Sequence, residues 1–219
     1  MKHFLIASTL MLMTALGANA QDNTHKITLY STNQPAVLHM RNGRDVKNLQ
    51  TNISLKNGAL LFMRGTTVME LDMDLLAGVD FGQDYYLNIG NQLALLIDSV
   101  GDNRLYCITL VDIDSYKNML VNDRVITNLD IQHQGLLDGH LDFQSLEGTV
   151  DKNSLPIIRQ YYYLYNGKLV KVHERDIQRA LPKSKKRAFK TILSLPDFSW
   201  TKPESLMTML KAISEEEEE

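Results

Sequence analysis

The side chains able to do chemistry fall into a few groups, and tyrosines form the first. Tyr161, Tyr163 and Tyr165 alternate within Ile158-Ile-Arg-Gln-Tyr-Tyr-Tyr-Leu-Tyr165. On a strand they share one face. Phenols at that spacing either pack on a sheet with their hydroxyls wet, or line a groove for carbohydrate or peptide. His173 lies close by in sequence, with Glu174 and Asp176 beside it. Such a pair is the general base of a hydrolase when a nucleophile joins it. No nucleophile partner is identifiable in the sequence.

The second group is cationic. Lys168, Lys171, Arg175, Arg179, Lys183, Lys185, Lys186, Arg187 and Lys190 are offset only by Glu174 and Asp176 over the same stretch. On a helix, Lys183, Lys186, Arg187 and Lys190 fall opposite the apolar side. A basic amphipathic helix docks on anionic lipid, phosphate-rich polymer or an acidic partner. The plainer alternative is a solvated face balanced by the chain's own acidic half. The third group is His133, Asp138, His140 and Asp142, two imidazoles and two carboxylates of the kind that ligate zinc. Uncommitted histidines in a loop account for the same residues, so no metal and no cofactor is assigned.

Motif by motif, catalysis finds little support. HExxH, G-x-S-x-G, the phosphate-binding Walker loop and the dinucleotide glycine fingerprint are all missing. Asp80-Phe-Gly82 copies the kinase magnesium motif without its companion signatures. Asp112-x-Asp114 begins like a calcium loop, but Lys117 stands where that loop needs Gly and Asp123 where it needs Glu. Asn52-Ile-Ser54 spells a glycosylation sequon and nothing more. The single cysteine, Cys107, rules out an internal disulfide and a multi-cysteine zinc site. It sits in a strongly β-type run and is read as a buried small apolar residue rather than a thiolate nucleophile.

Hydrophobic periodicity supplies the elements that hold these groups. Residues 26–111 read as about seven short strands. Lys26-Ile-Thr-Leu-Tyr30 alternates, and so does Val68-Met-Glu-Leu-Asp-Met73, with Met69, Leu71 and Met73 on one face. Turn signals stand at Asn42-Gly43, Asn57-Gly58, Gly82, Gly90-Asn91 and Gly101-Asp102. Asp114 can cap a helix over 114–122, residues 125–131 suit a strand, and 132–151 read as a loop. Asn166-Gly167 joins the two runs of a hairpin over 158–173. Helices follow at 174–181 and 183–195, the latter with Ala188, Phe189, Ile192, Leu193 and Leu195 on one side. A capping box, Thr201-Lys-Pro-Glu204, then starts a helix that buries Leu206, Met209, Leu210 and Ile213. The fold class is therefore α+β: an antiparallel, barrel-like or sandwich sheet with a C-terminal β-hairpin and two to three packed helices.

The 219 residues carry a formal charge of only −3, and that small total is a cancellation. Residues 21–150 hold 9 Lys+Arg against 16 Asp+Glu, a net of −7. Residues 151–214 hold 13 against 5, a net of +8, and the glutamates 215–219 add −5. The chain thus divides into an acidic β-rich region, a basic hairpin-and-helix region docked on it as one unit, and a disordered acidic tail. The tail either solubilises the protein or folds back on the basic helix and competes with its ligand. The near-neutral total and the lack of any reading motif make nucleic acid an unfavoured partner.

Lys2 and His3 precede an apolar run over 4–16, and Ala18-Asn-Ala20 supplies a small-x-small cleavage pattern. This is an export signal over residues 1–20, too short to span a bilayer, with no later segment of membrane length. The signal, Leu105-Tyr-Cys-Ile-Thr-Leu-Val-Asp-Ile-Asp114, Leu164-Tyr-Asn-Gly-Lys-Leu-Val-Lys-Val-His-Glu174 and Leu195-Pro-Asp-Phe-Ser-Trp200 resemble exported proteins of Bacteroidetes-type bacteria. The resemblance implies a periplasmic or secreted protein and no particular activity. The leading expectation is a non-enzymatic binding or scaffold protein, meeting an envelope protein or glycan through the tyrosine strand and basic surface. The alternatives are a module for anionic lipid or glycan acting through the basic helix, and a hydrolase.

Overall fold

A computed structural model of the protein describes residues 27–115 and 155–215. Its strands are β1 (Gln34–Met40), β2 (Asp45–Ile53), β3 (Leu60–Arg64), β4 (Thr67–Glu70), β5 (Leu76–Asp80), β6 (Tyr85–Ile89), β7 (Gln92–Val100), β8 (Asn103–Val111), β9 (Ile157–Tyr165) and β10 (Lys168–Lys171). They form one sheet in the order β10-β9-β8-β7-β6-β5-β1-β2-β3-β4, and every pairing is antiparallel. Tight turns drive this meander. Asn166 and Gly167 take φ of 49° and 74° between β9 and β10, the left-handed pair that a two-residue hairpin turn requires.

The sheet is open in its pairing but rolled at one end. β7 and β2 stand four places apart, which in a flat sheet is about 19 Å at ~4.8 Å per strand. Yet the Leu93 amide donates to the carbonyl of Gly58, in the β2–β3 connection, at 2.9 Å. The Val111 amide likewise reaches Leu55 O at 2.8 Å. Rolling buries Leu38, Ile53, Leu60, Leu76, Val79 and Tyr86 against one another. Toward β9 the same sheet face is closed by helices α1 (Glu174–Ala180), α2 (Lys186–Leu193) and α3 (Pro203–Ser214). Leu105, Cys107, Tyr163, Phe189, Leu206 and Leu210 make that second core. The architecture is the expected α+β type. β8 pairs with β9 along eight residue pairs, so the acidic and basic regions share one continuous sheet.

Several local expectations change. Residues 34–111 hold eight strands, because Gly65 at φ 64° turns β3 into β4. Residues 27–30 contribute an isolated bridge between Thr28 and Ser54 instead of a strand. The alternation over 68–73 breaks after Glu70, where a 3₁₀ turn, Met73–Leu75, buries Met73 and leaves Met69 exposed. Asp112, not Asp114, caps the helical residues 113–115, accepting from the Ser115 amide at 3.0 Å. α3 has Lys202 at its N-cap and no side-chain cap, so the capping box of Thr201 and Glu204 does not form. Pro203 instead opens the helix at a position where its missing N–H costs nothing. Leu195 is exposed, because α2 ends at Leu193 and the chain leaves the helical line. The export signal, the rest of the helix expected after residue 114, the strand at 125–131 and the loop at 132–151 lie outside the described residues.

Candidate functional site

The tyrosine strand lies inside the protein. Tyr161, Tyr163 and Tyr165 are all buried, on the face of β9 that α3 covers. Their phenols donate to backbone oxygens in sequence order along that cover: Tyr161 to Thr201 O at 3.3 Å, Tyr163 to Leu206 O at 2.6 Å, Tyr165 to Ile213 O at 3.2 Å. Burial pushes all three phenols above the ordinary tyrosine range. The shared face expected from alternation is present, but the chain's own helix fills the place of the expected groove. The hydroxyls satisfy helix and pre-helix carbonyls rather than a ligand.

His173 stands apart from them, at the N-cap of α1, with its side chain 64% exposed. Its Nδ1 lies 3.9 Å from Asp176 Oδ2, and Arg179 approaches the other oxygen of the same carboxylate at 3.8 Å. The histidine and the tyrosines therefore do not line one pocket. The group of His133, Asp138, His140 and Asp142 lies outside the described residues, and among the described residues no set of three metal-ligating side chains converges.

The basic face of α2 is arranged as the periodicity demands. Phe189 is fully buried and packs with α3, while Ile192 and Leu193 lie partly buried against the same core. On the opposite side Lys186, Arg187, Lys190, Thr191 and Ser194 line one shallow depression. Lys183, in the turn leading into the helix, is also exposed. At about 100° per residue the four helical positions, Lys186, Arg187, Lys190 and Thr191, share an arc of roughly 140°. Among the described residues none of the four cations is ion-paired. Lys185 points elsewhere: its Nζ donates to Glu215 O and so ties the start of α2 to the end of α3.

Two polar constellations were not singled out by motif. His39 Nδ1 sits 2.8 Å from Asp45 Oδ1 across the β1–β2 hairpin. The signal was available, since the two residues are equidistant from Asn42 in the Asn-Gly turn. Tyr30, Tyr86 and Asp84 form a chain, with the phenols 3.0 Å apart and Tyr30 donating to Asp84 at 3.1 Å. This one depends on the roll of the sheet and had no local signal. Asn52, of the sequon, is buried and bonds the Tyr30 amide, so it packs as a structural amide. Cys107 is buried, free of any disulfide, and burial pushes its thiol up.

What the fold and this surface define is a class, an α+β protein with a partly rolled antiparallel sheet and a basic helical cover. No protein-family model, curated protein or solved structure matches the chain.

Proposed function

We propose that the protein is an exported, non-enzymatic binding protein of a bacterial envelope, and that it holds an anionic ligand on the basic face of α2. The export signal over residues 1–20 supports the location. The contrast between its two candidate surfaces carries the binding role. The tyrosines are consumed by α3 and the residues just before it, whereas Lys183, Lys186, Arg187 and Lys190 stay exposed without an ion pair among the described residues. Like charges gathered on one face repel, and an anionic partner relieves that repulsion.

The chain's net charge at neutral pH is negative. A sulfonate-bearing matrix should therefore repel it unless a local patch dominates. Retention of the mature protein on that matrix at low salt, and its loss in a Lys183→Gln, Lys186→Gln, Arg187→Gln, Lys190→Gln variant, is the expected outcome. Flow-through of the wild-type protein contradicts the reading. N-terminal sequencing of the exported form should begin at Gln21.

A further inference from the structure

We infer that the anion held on α2 is an acidic polysaccharide, a linear chain carrying sulfate or carboxylate groups beside free hydroxyls; this rests on the reading of α2 as the binding face. Three observations separate that chain from a lipid surface and from bare polyphosphate.

The first is shape. Lys186 and Lys190 follow one another on α2 four residues apart, with Arg187 alongside, and Lys183 precedes them in the turn before the helix. At 1.5 Å per residue the two helical lysines stand about 6 Å apart, in a row one side chain wide with Arg187 on its flank. A narrow row matches a linear polymer better than a plane of headgroups.

The second is the fate of the apolar side. Membrane-surface helices insert their apolar face among the acyl chains. In α2 that face is Phe189, fully buried in the protein core, with Ile192 and Leu193 against the same core. Leu195 alone is exposed at the end of the helix, at 46%. One leucine contributes at most about 1.5–3 kcal/mol on complete burial, and stable anchoring of a protein to a bilayer takes more than one such signal.

The third is hydrogen bonding. Thr191 Oγ1 donates its proton to Arg187 O at 3.1 Å, and Ser194 Oγ donates to Thr191 O at 2.8 Å. Both hydroxyls line the depression with Lys186, Arg187 and Lys190, and with their protons committed they offer lone pairs. A sugar hydroxyl can donate to them. A fully ionised phosphate chain has no proton to give.

The test uses the full mature chain with three probes: heparin, inorganic polyphosphate, and vesicles of phosphatidylglycerol and phosphatidylcholine. Heparin should bind, and the Lys183→Gln, Lys186→Gln, Arg187→Gln, Lys190→Gln variant should lose at least tenfold in affinity. A control that neutralises Lys168, Lys171, Arg175 and Arg179 makes the same change in net charge and should keep most of it. Thr191→Val with Ser194→Ala should weaken heparin several-fold and leave any polyphosphate binding unchanged. Vesicles should leave the protein in the supernatant. Sedimentation with vesicles, or equal losses for heparin and polyphosphate in the hydroxyl variant, overturns the polysaccharide assignment alone. Failure to bind any of the probes overturns the reading beneath it as well.

Discussion

The phenol of Tyr163 donates a 2.6 Å hydrogen bond to the carbonyl oxygen of Leu206, in the first turn of α3. Both side chains are fully buried, so the bond fixes where the last helix lies on the sheet. Tyr161 and Tyr165 repeat it on either side. Removing the hydroxyl, as in Tyr163→Phe, should lower stability by about 1 kcal/mol, and Tyr163→Ala by about 3–5 kcal/mol. Urea denaturation measures both. Heparin binding by Tyr163→Phe should be unchanged, which separates the structural role of the strand from ligand contact.

The same burial sets an alkaline limit. The phenols of Tyr163 and Tyr86 are pushed up chiefly by desolvation, so the folded state resists their ionisation. In the unfolded chain they ionise near the ordinary value of ~10. Their contribution is fully present below that pH and is lost as pH climbs from there toward the raised folded values. Stability measured by denaturant should fall above about pH 10, and Tyr163→Phe should flatten that fall. An unchanged slope would show that Tyr163 does not carry the linkage.

Cys107 should be inert in the native protein. The residue is 5% exposed and its thiol is pushed up by burial, and both features suppress the thiolate. An aromatic disulfide reagent should modify it only at the rate of unfolding, and fully in denaturant. Rapid labelling of the folded chain would contradict its place in the core.

The acidic end is the remaining variable. Lys185 holds Glu215 at the start of α2, and four more glutamates follow in sequence. Four residues reach at most about 14 Å, enough to cover the row of cations from a tether. A tethered run that folded back would compete at high effective concentration. Deleting residues 216–219 should raise affinity for heparin a few-fold at low salt and have no effect at high salt. Equal affinities at low salt would remove the tail from the account.

Much of the fold was legible because its signals were local. Asn166-Gly167 fixed a hairpin by turn chemistry alone, and the 3.6-residue period of α3 named Leu206, Met209, Leu210 and Ile213 as its buried side. The amphipathic row of α2 was legible for the same reason. What was not legible depends on contacts distant in sequence. Alternation put Tyr161, Tyr163 and Tyr165 on one face, but only the docking of α3, about forty residues later, decided that this face was core. The capping box failed on a similar contest: Tyr161 binds Thr201 O, the Thr201 amide faces Ser199, and the helix starts one residue later. The roll of the sheet rests on bonds such as Leu93 to Gly58, which no window of sequence contains.

The central claim is that three cations on α2, with Lys183 in the turn before it, make the binding surface. Its most direct test is the salt dependence of heparin affinity for the wild-type chain and for the Lys183→Gln, Lys186→Gln, Arg187→Gln, Lys190→Gln variant. Each cation that displaces a counterion from a flexible polyanion contributes about −0.7 to the slope of log K against log salt. The account predicts a slope near −3 for the wild type and a nearly flat line for the variant. The same slope in both proteins would place the binding surface elsewhere and contradict the account.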